Sequence, residues 1–353
     1  MVQAFLKRPL QAAVLAVAAA AVTPSAHALT FSFTDVGTTP MDARFLTAFQ
    51  QAGNYWSSII SDPITINMNI AFDALPSGVL GSTQSTFTSF SYSSVRTALV
   101  GDAKSLIDTS AVGSLQAAPA LSFMANQLNK SSYFDNDGSA NNTTLGMTRA
   151  NAKALGLLGG NAAGIDATIT FATGFVADFV TGRSGSVPSD KLDFDTVARH
   201  EIGHVLGFTS GVDDVDYCAD ATNPCNLGPN GFNDDWWLMP LDLFRYSANG
   251  VLDFRFAGSP YFSIDGGANS IEVFSTGEFS GDGWQASHFG PGTTNLMRAF
   301  VNYGEFYDAT GNDLTALDAI GWDLVTAVPE PSTYMLMLLG VAGLAGWARR
   351  RQG

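Results

Sequence analysis

The chain has 353 residues, 46% hydrophobic and 14% charged, with a formal net charge of −15. That hydrophobic share belongs to a globular protein and excludes a mainly disordered one, and the length suffices for a sizeable core. Setting aside six charged residues in terminal segments read below as processed, the body keeps 12 basic against 31 acidic residues, which excludes nucleic-acid binding by phosphate neutralisation.

In chain order, Lys7 and Arg8 precede an apolar run, Ala12 to Val22, and the small-residue stretch Ser25-Ala26-His27-Ala28. This three-part pattern predicts a secretory signal over residues 1–28, cut by signal peptidase after Ala28. Thr30–Thr34 then predicts a short strand, and Ala43–Ala52 part of a helix. Ile64–Phe72 alternates apolar and polar residues at period two, as a half-buried strand does, while Ser91–Asp108 has helical spacing. The polar stretch Asp135–Thr144 reads as a surface turn. Its oxygens give a weaker second reading as a Ca2+ site, although its glycine is misplaced for an EF-hand loop. Ile165–Phe171 is a second alternating strand, either in the core or at a sheet edge where it would align an extended peptide.

Gly182–Ser189 is a turn-rich break. Ser189 or Asp190 is the expected cap of a helix that runs through Phe194, Val197, Ile202 and Val205 and stops near Gly207. Beyond it, residues 211–287 show little periodicity, with strand fragments at Leu252–Phe256 and Ile271–Phe274. Thr315–Trp322 predicts a closing helix. Cys218 and Cys225 lie seven apart, and in an exported chain a disulfide is the expected state, with a two-cysteine metal site the weaker alternative.

At the C-terminus, Val328-Pro329-Glu330-Pro331-Ser332 is followed by the apolar stretch Tyr334–Ala348 and then Arg349-Arg350-Arg351. The stretch is short against the roughly 20 residues of a stable transmembrane helix, and the arginines fit a cytoplasmic stop. Pro329, Glu330 and Pro331 with their apolar span and basic end resemble the PEP-CTERM sorting signal of Gram-negative bacteria. The resemblance implies transient inner-membrane anchoring by residues 328–353. An exosortase-type membrane sortase then cuts near the motif, releasing the body to the cell surface or outside. A bare tail anchor is the other reading.

The chemistry concentrates in His200-Glu201-Ile202-Gly203-His204. Four helical residues turn through about 400°, so the two histidines share one face a turn apart and can hold one Zn2+ ion, with Glu201 beside its water. Apart from His27 in the signal segment, the chain's remaining histidine is His288, and three histidines complete a catalytic zinc site. Gly207 permits a left-handed turn below the metal. Asp213, Asp214 and Asp216 stay open as alternative third ligands, while the softer imidazole of His288 suits zinc better.

His200 to Gly207 resembles the start of the metzincin zinc-endopeptidase signature. The compact form is broken, because Ser210 stands where most metzincins place the third histidine. Ser287-His288-Phe289 followed by Leu296-Met297 is similar to the leishmanolysin-like branch, which inserts a long segment before that histidine. The resemblance covers about Asp193 to Trp322. It implies an α+β catalytic domain over residues 29–327, with a mixed-sheet upper lobe to about residue 207. An irregular lower lobe from residue 208 would supply His288 and a Met-turn at Met297. It also implies peptide-bond hydrolysis of a protein or peptide substrate, with Glu201 as general base. Ala299 stands where some members carry a tyrosine, so oxyanion stabilisation is expected mainly from zinc, with Tyr303 the weaker alternative. Two other functions compete: a non-catalytic surface or matrix protein with a structural metal site, against which Glu201 argues, and a zinc hydrolase of non-peptide bonds.

Overall fold

A computed structural model describes residues 29–183, 185–227, 231–234 and 238–325. The expected signal peptide with Ala28, and the sorting segment with Pro329, Glu330 and Pro331, lie outside the described residues.

The first two strands stand where predicted, and β2 alternates as expected. β1 (Thr30–Asp35) and β2 (Thr65–Asp73) run parallel, joined across by α1 (Ala43–Ile59), whose N-cap Asp42 accepts from the Arg44 amide. Ile66, Met68 and Ile70 point inward along β2 and are buried, the pattern period two requires. β3 (Gly81–Ser85) and β4 (Phe87–Ser91) follow. The helical spacing over Ser91–Asp108 resolves into two helices, α2 (Tyr92–Asp102) and α3 (Leu106–Ser114). Ser105 divides them: its hydroxyl accepts from the Asp108 amide and its amide donates to the Asp108 carboxylate, a capping box that starts a new helix.

β5 (Phe123–Asn126) and β6 (Ser132–Asp135) form a hairpin, followed by α4 (Ala140–Thr143), β7 (Thr144–Thr148) and α5 (Arg149–Ala154). In the Asp135–Thr144 segment most polar groups bond one another or nearby residues, while Asp135 Oδ1 is buried without a partner. The Asp135 carboxylate accepts from Tyr133 and Asn141, and the Asp137 carboxylate accepts from the Ser139 amide and Asn233.

β8 (Ala167–Ala172) completes the main sheet, in the order β1-β2-β8-β3, with β8 parallel to β2 and antiparallel to β3. The edge-strand expectation for Ile165–Phe171 is therefore corrected: β8 is interior, and the edges are β1 and β3. Ala167, Ile169 and Phe171 are buried on one face of β8. The sequence of β3, Gly-Ser-Thr-Gln-Ser, contains no large apolar side chain. A polar strand suits a solvent-facing edge and gives no hydrophobic signal to read.

β9 (Phe179–Val180) and β10 (Leu192–Asp193) pair in parallel and deliver the chain to α6 (Phe194–Val205). The cap is Asp193, not Ser189 or Asp190, because residues 188–191 are spent on a turn and Leu192 on strand pairing. Asp193 accepts from the Thr196 amide at 3.0 Å and its hydroxyl at 2.6 Å. Phe194, at the head of α6, is the hub of the core. Its ring centroid lies 4.3 Å from Phe171, 4.9 Å from Phe45, 5.3 Å from Phe49 and 5.4 Å from Phe179. These offset and edge-on contacts lock the helix onto the sheet.

After α6 the chain is less regular. α7 (Val212–Ala219) is followed by the Cys218–Cys225 disulfide, with a Cα separation of 5.2 Å. A small antiparallel sheet contains β11 (Arg245–Ala248), β12 (Val251–Leu252), β13 (Tyr261–Phe262) and β14 (Glu272–Val273). The expected strands at Leu252–Phe256 and Ile271–Phe274 survive as two-residue pieces of it. α8 (Gly311–Ala319), capped by Thr310, starts earlier than Thr315. Beyond it the Trp322 indole donates to the Leu206 carbonyl at 2.7 Å, tying the chain's return to the end of α6. The architecture is mixed α+β.

Candidate metal centre

His200 and His204 project from one face of α6, and the lower part of the chain brings His288 to the same point. The Nε2 atoms are 3.0 Å apart for His200–His204, 3.2 Å for His204–His288 and 3.2 Å for His200–His288. The His200 and His288 rings lie near-parallel at 10°, with His204 perpendicular to both. Among the described residues, this is the group of three whose ligand atoms lie together, all within 4.8 Å.

Each ring is turned by a backbone carbonyl. His200 Nδ1 lies 2.8 Å from the Leu296 oxygen, His204 Nδ1 2.7 Å from that of Phe208, and His288 Nδ1 3.1 Å from that of Gln285. A carbonyl only accepts, so each Nδ1 carries the proton and each Nε2 presents a lone pair. Three lone pairs at that spacing repel unless a cation lies between them. Tetrahedral zinc with bonds of 2.0–2.1 Å to nitrogen needs Nε2 atoms about 3.3 Å apart, so these residues fit the ion. Burial holds His200 at about 4 and His204 at about 3, and pushes His288 well below the ordinary histidine value, with mutual repulsion adding at His204 and His288. The rings are thus neutral at pH 7, the state a metal binds.

The local sequence explains the carbonyls. Gly207 adopts φ +107°, and the Phe208 amide returns to the Gly203 carbonyl at 3.1 Å. That left-handed turn carries the Phe208 oxygen under His204. Leu296, whose oxygen meets His200, precedes Met297, which is 1% exposed. A Cβ on Gly203 would lie 2.4 Å from Met297 Sδ, so glycine lets α6 approach the 296–297 turn with Met297 in this position. Asp313 of α8 accepts from the Leu296 and Met297 amides at 2.9 and 3.0 Å and fixes the turn.

Glu201 is 5% exposed. Burial raises its carboxyl to about 7, and a hydrogen bond from Thr83 opposes the rise. The Thr83 hydroxyl stands 2.7 Å from Oε2 and 3.0 Å from the Glu201 carbonyl. Sequence reading missed Thr83 because it sits in the patternless β3.

The aspartates expected as alternative ligands are placed elsewhere. Asp213 accepts from the Ala286 and Ser287 amides and from the Ser287 hydroxyl. Asp216 accepts from the Phe279 amide at 2.8 Å, and Asp214 is exposed. None of the three belongs to the histidine group. Tyr303 is corrected as well, since its exposed hydroxyl donates to Asp178 at 2.8 Å.

Residues 327–352 match the PEP-CTERM protein-sorting motif. No curated protein and no solved structure matches the chain. The motif marks an exported bacterial protein, processed at its C-terminus in Gram-negative cells, membrane-associated during sorting and recognised there by an exosortase.

Proposed function

We propose that this exported chain is a zinc-dependent endopeptidase with a metzincin-like architecture, His200, His204 and His288 holding the metal. The observation that carries the reading is the convergence of three Nε2 atoms at 3.0–3.2 Å, with buried Glu201 next to His200 on the same helix. A structural site has no use for Glu201, whereas a hydrolytic site needs a base whose pKa lies near the working pH. Bound zinc supplies an activated water and polarises the scissile carbonyl.

The chain's own groups do the rest. Glu201 takes the water's proton and returns it to the leaving amine, with Thr83 orienting its carboxylate. β3, the edge strand that carries Thr83, offers unpaired backbone groups to an extended peptide in place of the interior β8.

The test measures zinc content and casein hydrolysis on the full-length protein in detergent. Wild type is expected to carry one zinc and to lose hydrolysis with a chelator. His288→Ala should lose zinc; Glu201→Gln should keep it and drop hydrolysis by about 10²–10⁴-fold. Wild-type protein without zinc, or Glu201→Gln with undiminished hydrolysis, would overturn the reading.

A further inference from the structure

We infer that Asp213 is the positioning residue that sets His288 for metal binding, a role that rests on the zinc reading above. His200 and His204 are placed by one helix, but His288 stands 84 residues beyond His204. Helix geometry cannot place it, so other contacts must. Its ring is steadied by the Gln285 carbonyl three residues back in its own turn. His200 and His204 instead reach carbonyls beyond their helix. The direction of the third imidazole therefore depends on what holds residues 285–287.

One carboxylate takes three of the hydrogen bonds in that hold. Asp213, in the first turn of α7, accepts from the Ala286 amide through Oδ1, and from the Ser287 amide at 3.0 Å and the Ser287 hydroxyl through Oδ2. The same hydroxyl accepts from the Ser210 amide at 2.8 Å, so both its hydrogen-bonding capacities are used. Ser210 lies three residues past Gly207. It is fixed by buried Asp242, which accepts its hydroxyl at 2.6 Å and also takes the Gly211 and Met239 amides. Buried Arg245 secures the other side, donating to the Ser275 carbonyl at 2.9 Å and the Ala286 carbonyl at 3.4 Å. A chain of contacts thus runs from the end of α6 through Ser210 and Asp213 to Ser287, the residue before the third ligand. Groups that orient metal ligands in this way change affinity by about 10–100-fold when removed.

The test is zinc affinity, read by chelator competition on the full-length protein in detergent, for wild type, Asp213→Asn, Ser287→Ala, the double variant and Asp214→Asn. Asp213→Asn puts an NH2 group where either the Ala286 amide or the Ser287 amide and hydroxyl donate; it should weaken zinc by about 10–100-fold, with the metal-free melting temperature nearly unchanged. Ser287→Ala removes one hydroxyl and should weaken zinc less. It carries the test if Asp213→Asn does not fold. The double variant should lose less than the product of the singles, because both act through one contact. Asp214→Asn removes the same charge one residue away and should stay within about twofold of wild type.

Zinc bound by wild type with affinity unchanged in Asp213→Asn and Ser287→Ala would overturn the positioning role alone. A zinc X-ray absorption spectrum that loses an oxygen ligand in Asp213→Asn would replace it with direct ligation. Wild type that binds no zinc would overturn the metal reading itself.

Discussion

At the scale of single residues, the candidate site is made of groups whose neighbours select one protonation state. Three carbonyls put the imidazole protons on Nδ1, and burial keeps the rings neutral. Glu201 is balanced between burial, which raises its carboxyl, and the Thr83 hydroxyl, which lowers it. Removing the donor leaves burial unopposed, so Thr83→Val should move the acidic limb of hydrolysis to higher pH. The expected loss at pH 6 is about tenfold, that of one hydrogen bond to a charged group, with little loss at pH 8. Thr83→Ser should restore the wild-type profile. A Thr83→Val profile that superimposes on wild type would show that the contact does not govern the base.

At the scale of elements, α6 is positioned from both ends. Phe194 anchors its first turn among phenylalanines from α1, β8 and β9, and the Trp56 indole donates to the Arg199 carbonyl at 3.1 Å. Asp193 caps the helix and also meets Arg183 at 3.2 Å. Asp193→Ala should therefore cost about 1–2 kcal/mol in denaturant unfolding, the upper range for a cap. Asp193→Asn, which retains the accepting oxygen, should cost less. Equal losses in the two variants would assign the effect to the ion pair with Arg183 instead of the cap. Gly207 and the close contact of Gly203 with Met297 then fix the far end of the helix over the 296–297 turn.

At the scale of the whole molecule, the last described residues return to the end of α1. The Val325 amide donates to Ile59 and the Asp323 amide to the Asp62 carboxylate. Around that junction burial raises Asp62 to about 7, and Asp102 and Asp318 to about 6, with neighbouring carboxylates adding to the rise. A folded-state pKa above the unfolded value of 3.8 means that the folded protein retains a proton the unfolded chain releases. The associated stability is complete at low pH and is lost as pH climbs from about 4 through about 7. Asp62→Asn keeps an oxygen for the Asp323 amide without the charge. Its melting temperature should match wild type at about pH 4 and below, and exceed it by at least about 2–4 °C at pH 8. Comparing the two proteins cancels the opposite trend from the buried histidines, whose lowered pKa values weaken the fold as pH falls below 6.5. A difference that does not vary with pH would refute the assignment.

Whatever is local in physical origin was legible in the sequence. Period-two alternation located β2 and β8, and the four-residue spacing of His200 and His204 put two imidazoles on one helical face. A glycine at 207 announced the left-handed turn, two nearby cysteines the disulfide, and three C-terminal features the sorting motif. The strands at Leu252 and Ile271 were seen but overextended, and the cap of α6 was placed too early, because pairing with β9 took Leu192. Tertiary structure alone decided that β8 is interior and β3 an edge, since strand order depends on which strands pair across the fold. It alone gave Thr83, Asp213 and Asp313 their partners, because a hydrogen bond spanning 118 or 74 residues has no period in the chain. The sequence could supply the third histidine. Only the fold, by closing an 84-residue excursion, could bring its nitrogen within 3.2 Å of the other two.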